Sequence, residues 1–213
     1  MRGGLKLGFL ASHRGSSMRA ILDAIASGKL RASASVVISN NADAPALAYA
    51  AALGIPAYHL SETRLGGVAA ADQAIAEALA LRGAELVILS GYMRKLGPAT
   101  LARFPGRILN IHPGPLPRYG GAGMYGRRVH EAVIAAGERL SAITIHLVDG
   151  EYDHGPVIAR REVAVESGDT AASLAARIEA QEPPFFVETL RRISEGELRL
   201  PAPEGGSERT DPA

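Results

Sequence analysis

An amide and an imidazole stand two residues apart in Asn110-Ile111-His112, at the end of an apolar run that begins at Arg107. On a strand, residues two apart face the same side, so Asn110 and His112 project together. An Asn NH₂ group and an imidazolium are suitable paired donors for an oxygen that gains negative charge during acyl transfer. Pro113, Pro115 and Pro117 follow at once and limit how the strand exit can move. Taken alone, the pair also suits local turn hydrogen bonds at a strand end.

A second polar cluster is Asp149-Gly150-Glu151-Tyr152-Asp153-His154-Gly155-Pro156. Carboxylates beside glycines are ordinary turn chemistry. A carboxylate brought close to His112 would favour the charged imidazole and raise its pKa, which makes the position of Asp153 worth locating. The third candidate is Gly15-Ser16-Ser17, just before a helical pattern. Free backbone N–H groups and the positive end of a helix dipole suit an anion there, with two hydroxyls as further donors. It matches neither the dinucleotide glycine fingerprint nor a Walker loop, and simple capping by Ser is the plainer use.

The elements that must hold these residues alternate. Leu5–Leu10 reads as a strand, followed by a helix from Met18 that ends at Gly28. Ser35–Ser39, Ala57–Leu60 and Leu86–Leu89 read as further strands, with Ala-rich helices over Ala44–Leu53 and Gly67–Arg82 between them. Short buried strands separated by helices mark an open, doubly wound, mostly parallel α/β sheet with helices on both faces. Ligands of such sheets collect beyond the carboxyl ends of the strands, where Gly15–Ser17 and His112 fall. In the second half, Arg107–His112, Ser141–Val148 and Val157–Val165 read as strands and Val129–Ala136 as a helix. Arg160-Arg161 reads as part of a solvated strand face. A long helix is expected from Thr170 to Ile193, bent or interrupted by Pro183-Pro184. Residues 1–200 form one domain in this reading, and residues 201–213 a disordered tail of Pro, Gly, Ser and charge.

Composition narrows the classes. Net charge is +1 over 213 residues, which gives no case for a nucleic-acid or anionic-membrane partner. No stretch approaches the ~20 apolar residues of a membrane span, and no secretory signal is apparent. There is no Cys, so disulfides, thiolate ligands and a thiolate nucleophile are excluded. A soluble cytoplasmic protein is the expectation, monomeric or homodimeric.

Three motifs together go further than each alone: Asn110-Ile111-His112-Pro113 with Leu116-Pro117-Arg118-Tyr119, Asp153-His154-Gly155-Pro156, and the Gly-Ser turn after the first strand. With Ser39-Asn40-Asn41-Ala42-Asp43 and Gly91-Tyr92-Met93-Arg94, they resemble the folate-dependent formyltransferase family over nearly the whole chain, Leu5 to about Leu200. The resemblance implies Asn110, His112 and Asp153 as catalytic residues. It implies 10-formyltetrahydrofolate as co-substrate, bound by Met93, Arg94, Lys95, Leu96 and Asn110, and no metal. It further implies glycinamide ribonucleotide as the acceptor, with its phosphate at Gly15, Ser16 and Ser17 and its ribose at Glu182. His146 has a family counterpart near the catalytic centre, though a packed structural histidine is an equal reading. His59, His130 and His154 carry no catalytic role.

The chain departs from the family pattern at three places. Ser17 stands where Asn is usual. The loop Gly120-Gly121-Ala122-Gly123-Met124-Tyr125-Gly126 is longer than in the commonest form. Val68 occupies a position that often holds a basic residue contacting the folate's glutamate tail, with Arg64 nearby as a substitute. Two other functions fit the same residues: formyl transfer to an amino-sugar nucleotide, and a non-catalytic folate- or nucleotide-binding relative.

Overall fold

The computed structural model describes residues 4–202. Most of the C-terminal tail expected to be disordered, from residue 203 on, lies outside the described residues. Seven strands form one sheet in the order β3-β2-β1-β4-β5-β6-β7. They are β1 (Leu5–Leu10), β2 (Ala32–Ser39), β3 (Ala57–His59), β4 (Leu86–Leu89), β5 (Ile108–His112), β6 (Leu140–Leu147) and β7 (Val157–Ala164). β1 to β5 are parallel, and β6 and β7 run antiparallel at one edge. This is the doubly wound, mostly parallel sheet read from the alternating pattern. Strand order reverses between β1 and β4, so the crevice at their carboxyl ends is the topological switch point of the sheet.

Alternation along the central strands divides the core in two. Leu7, Phe9, Val37, Ile88 and Leu109 face a cluster built with α1 (Ser16–Ala26), α6 (Arg127–Ala135) and α7 (Ala171–Ser194). Leu10, Val36, Ile38, Val87 and Ile108 face the opposite cluster with α4 (Val68–Leu81). α2 (Pro45–Ala52) joins the first face, with proline at the helix start where no N–H partner is needed. Two short helices carry no apolar periodicity of their own: α3 (Glu62–Leu65) and α5 (Pro98–Arg103). The buried carboxylate of Asp72 holds α5 in place by accepting the N–H groups of Gly97, Ala99 and Thr100 at 2.7–3.2 Å. Among the described residues, no helix is long and apolar enough to cross a membrane.

Three expectations need correction. β2 starts at Ala32 rather than Ser35, because its small, polar first residues are paired to β1 from Leu5 onward. α7 runs without interruption through Pro183 and Pro184. Two prolines remove two i→i−4 donors, but Leu174 and Ile178 before them and Phe185, Phe186 and Leu190 after them bury one continuous stripe, and that packing holds the helix together. Nor is Arg161 simply solvated: it lies over the Phe185 ring and donates to Glu188 at 2.7 Å.

Candidate active site

β5 and β6 set the frame. Their antiparallel register places Asn110 opposite His146 and His112 opposite Thr144. Thr144 donates its hydroxyl to the Gly114 carbonyl at 2.7 Å, which fixes the chain as it leaves β5. It then passes through a cis Leu116-Pro117 bond, and the Tyr119 carbonyl returns to lie 2.7 Å from Nε2 of His112. A carbonyl can only accept, so Nε2 carries the hydrogen and Nδ1 is the nitrogen left to gain or lose a proton. His112 is buried, with 3% of its surface exposed.

Asp153 arrives from the loop between β6 and β7. One carboxylate oxygen lies 3.5 Å from Nδ1 of His112, and the other 3.5 Å from Nε2 of His146. Gly121, in the loop after β5, donates its N–H to Asp153 at 3.1 Å. Asp153 has a positive φ of 55°, uncommon outside glycine but accessible to Asp. The loop can approach this closely only because of two glycines. A Cβ on Gly155 would collide with the Leu147 carbonyl oxygen, and one on Gly120 with Leu116 and with Asp153 itself.

His146 joins the site as both of its readings foresaw, packed and close to the chemistry. Its Nδ1 faces the Leu147 carbonyl at 2.8 Å, and its Nε2 faces the Asn110 side-chain NH₂ at 3.1 Å. One Asn110 hydrogen is therefore directed at His146, and the second is aimed elsewhere by the same bond. Asp149 serves the turn: it accepts the Glu151 N–H at 2.8 Å and pairs with His154 at 2.8 Å.

Opposed influences act on His112. Burial pushes its pKa down, and the nearby Asp153 charge, as expected of a carboxylate beside an imidazole, raises it without reversing the net shift. Burial pushes Asp153 up, but its closeness to His146 and His112 and the Gly121 N–H outweigh it and hold the carboxyl below its ordinary range. The site thus combines an ionised Asp153 with an imidazole for which positive charge is costly.

The other candidate residues lie around the switch point. Gly15 caps α1 in a left-handed conformation without any side-chain cap bond, so capping by Ser is not what Ser16 and Ser17 do. Their N–H groups precede the first intrahelical bond, Arg19 N–H to Gly15 O at 2.9 Å. Ser16 is exposed and Ser17 buried. Glu182 sits half-buried in α7, which packs on α1. Burial, and then the charge of Glu179, push its pKa up to about 7.

Met93, Arg94 and Lys95 are exposed after β4, while Leu96 is buried in the second core cluster. Arg94, Lys95 and Leu96 border a cavity of about 200 Å³, walled also by Asn40, Val68 and Tyr92, whose lining includes none of Asn110, His112 and Asp153. The nearby Arg64 does not reach that wall, since its guanidinium donates to the His59 carbonyl at 3.1 Å. Arg94 and Lys95 are the cations beside Val68 there. Among the described residues no His, Asp and Glu side chains are grouped to hold a metal ion.

Residues 5–190 match the family model described as formyl transferase. The chain belongs to the formyl transferase family. This formyl transferase is 32% identical to phosphoribosylglycinamide formyltransferase of Escherichia coli, over 90% of this chain and 88% of that one. It is 36% identical to the chloroplastic phosphoribosylglycinamide formyltransferase of Vigna unguiculata, over 89% of this chain, and spans 61% of that protein's length. Among solved structures, glycinamide ribonucleotide transformylase 1 from Symbiobacterium toebii superposes with a TM-score of 0.86 at 35% identity, covering 95% of this chain and 93% of that one.

Proposed function

We propose that this formyl transferase moves the formyl group of 10-formyltetrahydrofolate to the amine of glycinamide ribonucleotide, a step of purine biosynthesis. The names of its relatives support the acceptor. The observation that carries the chemistry is the convergence of Asn110, His112, Asp153 and His146 around one point.

In this reading the acceptor amine attacks the formyl carbon, and the carbonyl oxygen becomes an oxyanion. The free Asn110 hydrogen is one donor; the other is the proton that the attacking amine, made acidic by bond formation, gives to His112 Nδ1 by way of Asp153. As the carbon–nitrogen bond to the folate breaks, the same proton passes from His112 back through Asp153 to the departing folate nitrogen. A depressed His112 pKa suits this task. Positive charge on a buried imidazole is costly until a negative oxygen forms beside it, so the attraction is realised in the transition state rather than before it. Gly15, Ser16 and Ser17 take the acceptor's phosphate, and Glu182 its ribose. Met93 to Leu96 hold the folate with Asn110. The substrates are small molecules and call for neither nucleic acid nor a membrane. A chain with no cysteine fits work in the reducing cytoplasm.

The test is formyl transfer by the purified protein with both substrates. Turnover should fall by about 10²–10³ in His112→Ala, and by a comparable factor in Asp153→Asn. Formyl loss without formylated acceptor would replace transfer with hydrolysis. No formyl loss at all would remove this acceptor and direct the search to amino-sugar nucleotides.

A further inference from the structure

Ser12 is bonded to neighbouring loops through both its side chain and its backbone, and the chemistry above does not use it. It follows β1 at the topological switch point and is buried, with 1% of its surface exposed. Its hydroxyl accepts the Met93 N–H at 2.7 Å and donates to Asn40 Oδ1 at 2.6 Å. Its own N–H donates to the Gly91 carbonyl at 3.2 Å, and its carbonyl accepts from the Asn41 side chain at 2.6 Å. One residue thus links the loops after β1, β2 and β4. A parallel tie runs from the same β1 turn to the end of β4, where buried Ser90 accepts the Met18 N–H in the first turn of α1 at 3.0 Å. Asn40 and Asn41 form the shared wall between two hollows, one bordered by Ser12 and His13, the other by Arg94 and Lys95.

We infer that Ser12 is a positioning residue that couples the two substrate sites, so that binding of the folate tightens binding of the phosphorylated acceptor. This rests on the reading above, which puts the acceptor's phosphate at Gly15–Ser17 and the folate against Met93–Leu96. The physical ground is that Ser12 lies three residues from one site and is bonded to the first residue of the other. Ordering either loop pre-orders its neighbour, and a second ligand that meets an ordered loop loses less conformational freedom on binding. The coupling is reciprocal by thermodynamic necessity.

The test is calorimetry on the intact protein, with glycinamide ribonucleotide titrated alone and then at saturating tetrahydrofolate, which lacks the formyl group and cannot react. In the unmodified protein the folate should tighten acceptor binding by about fivefold or more, the lower end of ordinary coupling. Ser12→Ala should bring that ratio close to one while each ligand alone still binds. If the alanine variant does not fold, Ser12→Cys, which keeps the volume but weakens the hydrogen bonds, should reduce the ratio. A ratio near one in the unmodified protein overturns the inference, as does an undiminished ratio in the variants. If neither ligand binds the unmodified protein, the functional reading itself fails and the inference with it.

Discussion

Glu182 is a carboxyl group placed where ionisation is costly, and replacing it with Gln should stabilise the fold at high pH. Its pKa rises from 4.5 to about 7, chiefly through burial and then through the charge of Glu179. At about 1.36 kcal/mol per pH unit, that difference amounts to about 3 kcal/mol. Between those two values the native state keeps a proton that the unfolded chain has lost. The native state therefore binds more protons, and stability falls as pH rises through this window. Below it both states are protonated and nothing is lost; above it the full cost remains. Glu182→Gln removes the titration. The variant should match the parent near pH 4.5 and exceed it by about 2–3 kcal/mol at pH 8, or about 5–10 °C in Tm for a chain of this size. Melting both proteins across that range measures the difference, and groups that do not interact with Glu182 cancel in the subtraction. Parallel curves would refute the reasoning. So would a variant that gains stability only at low pH. A fold that retains such a group despite its cost has a use for it, and under the proposed function the same variant should raise the KM for the acceptor.

Three further substitutions probe how the site is held. His146→Ala removes the bond that orients the Asn110 amide, and kcat should fall by about tenfold to a hundredfold with little change in the KM for the acceptor; steady-state kinetics decide this. Gly155→Ala forces a methyl group into the Leu147 carbonyl and should cost about 1–3 kcal/mol, read as a lower urea midpoint, while displacing Asp153 and lowering turnover. Pro184→Ala restores a backbone N–H inside α7 and should raise Tm, because an interior proline costs a helix up to about 3 kcal/mol; an unchanged or lower Tm would show that the helix has fully adapted to the ring.

The sheet was legible in the sequence wherever a strand is buried on both faces. Leu7–Leu10, Leu86–Leu89 and Ile108-Leu109 are buried apolar runs, and the sheet places their strands at its centre. The first residues of β2 were not legible, because Ala32-Ser33-Ala34 owe their extended form to pairing with β1 and not to their own side chains. The prolines of α7 misled for the opposite reason: local chemistry argued for a break, and the buried stripe on both sides overrode it. At the site, Asn110 and His112 could be paired from their spacing alone. The approach of Asp153 and the position of His146 depend on strand register and loop course, for which the family motifs supplied the only signal. The Tyr119 carbonyl and the Gly121 N–H could not be found at all, since backbone groups leave no mark on residue type. Ser12 and Ser90 were invisible for a related reason: small hydroxyl residues after strands are common, and only their partners distinguish these two.

The opposed influences on His112 can be separated by experiment. Burial lowers its pKa and the Asp153 charge raises it, with burial prevailing. The folded protein should therefore show a His112 titration below the ordinary imidazole value, measurable by NMR with the other histidines assigned by substitution. Asp153→Asn keeps the shape of the site and removes the charge. A neighbouring opposite charge at this range shifts a pKa by about one unit or more, so His112 in the variant should titrate lower still, by at least about one unit. The carboxylate and the imidazole nitrogen lie 3.5 Å apart, so charge on one cannot leave the other unaffected. A His112 pKa that rises in the variant, or does not move, would mean that Asp153 does not face Nδ1 in solution. The proposed oxyanion donor would then lack the group that stabilises its proton as the transition state forms.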